Sequence, residues 1–93
     1  MKSYCLVSDA QGSRLELRNV DTPTPGAGQV LVKMHAASLN RGEFMHGHGL
    51  HAAGSAKPAG MEGAGEIVAL GADVQGWSVG ARVMGRCPGA FAE

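Results

Sequence analysis

Three imidazoles fall within six residues, at His46, His48 and His51, on a stretch rich in glycine. Three such side chains can reach one metal ion, but a loop of this kind has to be ordered before it can do so. We read it as a solvated loop and expect no metal there. The same stretch, Gly47-His48-Gly49-Leu50-His51-Ala52, matches the dinucleotide fingerprint Gly-x-Gly-x-x-Gly/Ala. That pattern has meaning only where it follows a strand and opens a helix. Here a short helical piece is expected before it, and Gly54 and Pro58 stop a long helix after it. It is not read as a cofactor site. Cys5 and Cys87 lie far apart with no Cys-x-x-Cys pair. Reduced, buried thiols are expected, with one disulfide left open as an alternative.

The elements that would position any such chemistry read mainly as strands. Leu15 and Leu17 alternate with Arg14, Glu16 and Arg18, and Val30, Val32 and Met34 alternate with Leu31, Lys33 and His35. A period of two is the strand signature. Between these runs, residues 21–28 carry two prolines and two glycines, which suit a connecting loop rather than a ladder. Further on, Glu66–Leu70 and Gly80–Gly85 are short strand-like runs, separated by a turn over residues 71–77. One short helical segment is expected over Arg41–His46. The sum is about five strands with closely spaced turns, which points to a barrel or a sandwich.

Composition sets limits on partners. Leu, Ile, Val and Phe make up 18 of the 93 residues, a level compatible with a thin core. The net charge is zero, with eight basic and eight acidic residues scattered along the chain. Disorder and nucleic-acid binding are therefore not expected. The apolar run at the start is too short for a signal peptide, and no stretch approaches ~18 apolar residues. A cytoplasmic location without membrane association is the expectation.

Two segments carry a resemblance to a known family. Val30-Leu31-Val32-Lys33-Met34-His35-Ala36-Ala37-Ser38-Leu39-Asn40-Arg41-Gly42-Glu43-Phe44 resembles the strand and Ser-Leu-Asn corner of quinone oxidoreductases and related medium-chain dehydrogenases. Gly60-Met61-Glu62-Gly63-Ala64-Gly65-Glu66-Ile67-Val68, followed by Val79-Gly80-Ala81-Arg82-Val83, resembles the family's Gly-x-Glu-x-Ala-Gly stretch and its Val-Gly-Asp-Arg-Val strand. The similarity covers most of residues 1–93, in the family's order and spacing. It implies a mainly β, GroES-like, partly open and here incomplete barrel over residues 1–93, the N-terminal portion of a catalytic domain. In the complete enzyme this domain is joined to a Rossmann domain that holds NADPH; that domain is absent from these residues. Ala81 departs from the family, which often has Asp there.

The resemblance also implies a chemistry. The positions matching Asn40 and Met61 are a cysteine and a histidine zinc ligand in zinc-dependent alcohol dehydrogenases. Neither Asn nor Met is a good zinc ligand, so a zinc-free quinone oxidoreductase is the expected type, with no metal. The implied reaction is hydride transfer from NADPH to a quinone, enone or related small carbonyl compound. The resemblance to quinone oxidoreductases implies that Asn40 lies near the nicotinamide and the substrate carbonyl, where a neutral amide can donate a hydrogen bond without a charge to desolvate. An N-cap role for Asn40 stands beside that reading. Phe44, Met45 and Met61 are expected to line the substrate pocket, with core packing as the alternative for Phe44 and Met45. Glu62 is expected as a buried carboxylate supporting the backbone near the cleft, with direct chemistry as the alternative. No catalytic acid or base is assigned.

A chain of residues 1–93 is expected to be inactive by itself. Beside a metal-binding domain built on His46, His48 and His51, the weakest alternative, two rival readings remain. One is a stand-alone GroES-like module that binds a partner or self-associates through exposed strand edges. The other is a relative of zinc-dependent alcohol dehydrogenases that has lost its metal.

Overall fold

The computed structural model describes residues 1–10, 12–40 and 56–93, and among them the ordered elements are strands alone. Six strands run in the order β1 (Lys2–Asp9), β2 (Gly12–Asn19), β3 (Val30–Ala37), β4 (Ala56–Pro58), β5 (Glu62–Leu70) and β6 (Arg82–Arg86). They form two three-stranded sheets, β2-β1-β4 and β3-β5-β6. Every pairing is antiparallel. Among the described residues this is a mainly β, GroES-like fold without a closed barrel. The helical segment expected over Arg41–His46 lies outside the described residues, as do the His46, His48 and His51 cluster and the glycine fingerprint.

β1 is the centre of the first sheet, a strand that alternation did not mark. Ser3, Cys5, Leu6 and Ser8 are buried along it, so neither face reads as cleanly apolar. A buried hydroxyl needs a partner. Ser8 Oγ finds one in Ser13 Oγ at 2.8 Å, opposite it on β2. β2 itself is a strand, as its alternation predicts. Its Leu15 and Leu17 are nevertheless 42% and 53% exposed, while Glu16 between them is half-buried.

β5 begins four residues earlier than the expected Glu66, at Glu62, and runs through Gly63 and Gly65. Glycine is a poor strand former, yet both positions lie where β3 passes close by. A Cβ on Gly65 would overlap the Lys33 carbonyl oxygen, and one on Gly63 would overlap Met34 Cε and the Ala36 carbonyl oxygen. The missing side chains are therefore what lets β3 and β5 pair. Ile67, on the same strand and paired with Val32, is the fully buried residue of this sheet. β6 starts at Arg82 rather than Gly80, because Gly80 and Ala81 form the turn that enters it. Gly80 has φ near 95°, and the Gly80 N–H donates to the Ile67 carbonyl while the Ile67 N–H donates to that of Ala81. Ala81 thus contributes to this turn through its backbone.

The connecting loop over residues 21–28 contains no strand, as expected, and is tied to the turn after β5. The Gly28 N–H donates to the Ala72 carbonyl and the Gly71 N–H to that of Gln29. The two sheets are joined by backbone bonds along one seam. The Tyr4 N–H donates to the Phe91 carbonyl, the Phe91 N–H to that of Ala59, and the Ala59 N–H to that of Tyr4. An isolated bridge between Ser3 and Ala92 continues the seam. Buried Ala59 and Ala90 sit where these three segments meet, small enough for close approach.

Candidate substrate and cofactor site

The Ser38-Leu39-Asn40 corner leaves the end of β3 and is pinned at once. Ser38 donates its backbone N–H to the Glu62 carbonyl oxygen at 3.1 Å, which extends the β3–β5 pairing by one bond beyond Ala37. Asn40 Nδ2 then donates to Ser38 Oγ at 3.1 Å. The amide is half-buried, whereas Leu39 between the two is largely exposed. A neutral amide and a neutral hydroxyl thus stand together at one end of a sheet, tied to β5 through the Ser38 backbone N–H.

Met61 comes to the same end from the other side. It is half-buried and immediately precedes β5. The Met61 carbonyl accepts from the Cys87 N–H at 2.7 Å and the Gly60 carbonyl from the Gly89 N–H at 3.0 Å. Gly60 takes φ near 99°, and a Cβ there would meet the backbone nitrogens of Ala90 and Phe91. Only glycine allows the crossing that delivers Met61 to the sheet end. Asn40 and Met61, separated by 21 positions, are brought to one end of β3-β5-β6 by the bonds of Ser38 and Cys87 to neighbouring residues of one segment. Phe44 and Met45 lie outside the described residues.

Glu62 corrects an expectation. Its side chain is exposed, not buried, on a register position opposite Arg86. The anchoring at this corner is made by the Glu62 backbone carbonyl, which pleating turns toward β3. Cys5 is buried as expected, but Cys87 is only half-buried, and both thiols are free. Among the described residues no three His, Cys, Asp or Glu side chains gather as a metal-binding group.

A concavity elsewhere on the fold escaped the sequence. An open cavity of about 720 Å³ lies between β3 and the segment after β6, lined by Val30, Val32, Met34, Val68, Cys87 and Ala90 among others. Neither Asn40 nor Met61 lines it. Its walls come from residues far apart in the chain, so no local pattern announces it. Among the described residues no helix is long and apolar enough to cross a membrane.

With two antiparallel sheets and a Ser-Leu-Asn corner pinned to the start of β5, the described residues have a GroES-like architecture. The alcohol dehydrogenase GroES-like domain model matches residues 26–92, and the chain belongs to that family, within the medium-chain dehydrogenases and reductases. Among its relatives, the rat (Rattus norvegicus) synaptic vesicle membrane protein VAT-1 homolog is 38% identical over 86 residues, covering 86% of this chain and 21% of the relative. Alcohol dehydrogenase 2 of Caenorhabditis elegans is 33% identical over 79 residues, covering 83% and 22%. Prostaglandin reductase-3 of Bos taurus is 35% identical over 79 residues, covering 82% and 21%. The chain therefore spans about a fifth of the length of these curated relatives. No solved structure matches it.

Proposed function

We propose that residues 1–93 form the catalytic-domain module of a zinc-independent, NADPH-dependent reductase of quinones, enones or related carbonyl compounds. The observation that carries this reading is the neutral Asn40–Ser38 pair, held against β5 at the sheet end where Met61 also arrives. In the resemblance, Asn40 and Met61 stand at the positions of two zinc ligands. An amide that donates to a hydroxyl and a neutral thioether make a poor zinc site, because zinc takes thiolate, imidazole or carboxylate. The relatives named as a prostaglandin reductase and an alcohol dehydrogenase support an oxidoreductase.

A bound nicotinamide would supply the hydride. The part of this chain would be to orient. The Asn40 amide would hold a carbonyl oxygen or the nicotinamide by hydrogen bonding, with Ser38 fixing its direction. Donors that cost no reorganisation are what a zinc-free site has for polarising a carbonyl. Met61, and Phe44 and Met45 by sequence position, would supply apolar pocket wall. We assign no general acid or base. A location in the cytoplasm accords with this role.

The experiment measures NADPH-dependent reduction of 1,4-benzoquinone and of an α,β-enone, on the polypeptide of residues 1–93 and on the gene product that carries them. Saturable turnover that survives a zinc chelator is expected in the gene product, and none in the isolated residues 1–93. Turnover abolished by the chelator and restored by zinc would refute the metal-free assignment.

A further inference from the structure

β2 has β1 on one side, and among the described residues no strand pairs with its other side. The hydrogen-bond phase of that free edge follows from the end of the hairpin. The Met1 amino group donates to the Val20 carbonyl, and the Val20 N–H donates to that of Met1, both at 2.9 Å. In an antiparallel ladder such exchanging pairs alternate with non-exchanging ones. Arg18, Glu16 and Arg14, opposite Ser3, Cys5 and Val7, therefore spend their backbone groups on β1. Ser13, Leu15, Leu17 and Asn19 turn their N–H and C=O groups outward, and Leu15 and Leu17 also expose apolar side chains.

Charged side chains ordinarily protect an edge from pairing. Here Arg14, Glu16 and Arg18 alternate in sign along one face, so protection depends on register. A second copy centred on Glu16 would set Glu16 against Glu16 and Arg14 against Arg18, and is disfavoured. Centred on Leu15, the same ladder sets Arg14 against Glu16 of the second copy on both sides of the axis. Leu15 then meets Leu15, and Leu17 meets Ser13. Centring on Leu17 would also match charges, but it sets Arg14 opposite Val20, beyond the end of β2 at Asn19.

We propose that two copies of this chain pair antiparallel through β2 about a two-fold axis at Leu15, joining their β2-β1-β4 sheets into one continuous sheet. The occupant is a second copy because the charge pattern is complementary to itself in that register. This goes beyond the oxidoreductase reading and does not depend on it, since its readout is mass rather than turnover.

The test follows the mass of the polypeptide of residues 1–93 against concentration by sedimentation or light scattering, with circular dichroism confirming the fold of each variant. A concentration-dependent dimer is expected. Arg14→Glu and Glu16→Arg, each alone, should raise the dissociation constant about tenfold or more, because a matched cross-strand pair becomes a like-charge one twice per dimer. The double exchange should restore dimerisation. The axis is read by mild oxidation, with the unmodified chain as control for Cys5 and Cys87. Leu15→Cys should give a covalent dimer, since opposed residues of an exchanging pair lie about 5.5 Å apart at Cα, within disulfide reach. Leu17→Cys should not. A monomer at every concentration, a double exchange that fails to restore the dimer, or crosslinking at position 17 instead of 15 would each overturn the proposal.

Discussion

The Ser38 backbone N–H and the Glu62 carbonyl oxygen are joined by a 3.1 Å hydrogen bond that fastens the corner after β3 to the first residue of β5. Because Asn40 Nδ2 rests on Ser38 Oγ, that bond also holds the Asn40 amide in place. The candidate site is thus a branch of the β3–β5 ladder, and its geometry depends on whether that ladder can form.

Ladder formation depends on Gly65. Replacing it with alanine would drive a Cβ into the Lys33 carbonyl oxygen, which is backbone and cannot swing aside. Gly65→Ala should destabilise the fold by about 1–3 kcal/mol, the usual scale of overpacking, or prevent folding. Thermal denaturation followed by circular dichroism reads this directly, and an unchanged melting temperature would show that β3 and β5 can separate at no cost.

Burial sets a second expectation. Ile67 is fully buried, whereas Met84 on the neighbouring strand is 87% exposed. Ile67→Ala should cost about 2–5 kcal/mol through lost transfer energy and the cavity left behind. Met84→Ala should lie within about 0.5 kcal/mol of the parent. Urea titration of the three proteins measures both, and comparable losses would mean that something outside the described residues covers Met84.

Asn40 is the residue on which the proposed chemistry turns. In the gene product that carries these residues, Asn40→Ala should lower kcat/KM for quinone or enone reduction by about 10- to 100-fold, the value of one well-placed hydrogen bond to a group that gains charge. Ser38→Ala, which removes the hydroxyl that Nδ2 rests on, should give a smaller loss in the same direction. Steady-state kinetics on both variants decides it, and wild-type rates for Asn40→Ala would remove Asn40 from the site.

Acid should loosen β2 before the rest of the first sheet. The hydrogen bond from Arg18 holds the Glu16 carboxyl below the usual carboxylate range, with Arg14 adding to the effect. Arg14 in turn is held above its ordinary value, chiefly by its hydrogen bond to Asp9 and then by Glu16. A carboxyl with a lowered folded-state pKa contributes stability that is fully present above its unfolded value. That contribution is lost as the pH falls through the folded one. Protection factors of the amides across β1 and β2, taken against the intrinsic exchange rate at each pH, should therefore fall from about pH 4 downward. Glu16→Gln should flatten that limb, and the effect should be small because the pairs are exposed. Exchange rates in β2 that are insensitive to Glu16→Gln across this window would count against the ion pairs.

Much of this protein was legible in its residues. The alternation of Leu15 and Leu17 and of Val30, Val32 and Met34 marked β2 and β3, because successive side chains of a strand face opposite ways, although on β2 both leucines are exposed. The Ser-Leu-Asn corner and the Gly-Met-Glu-Gly stretch carried the family, since they are contiguous and their order along the chain is itself information. Asn40 and Met61 stood out only through that resemblance, which sets two poor metal ligands at the positions of two zinc ligands. Pairing was not legible in the same way. β1 is central because β2 and β4 flank it, although its own pattern of serines and a cysteine is ambiguous. Gly63 and Gly65 fell outside the strand expected from Glu66 to Leu70, and only with β3 against them does the absence of a side chain become the condition for pairing. The outward turn of the Glu62 side chain, the inward use of its carbonyl and the open cavity beside β3 likewise depend on neighbours distant in the chain. Local composition determines which residues suit a strand or a corner, but register and close approach are long-range, and folding is what sets them.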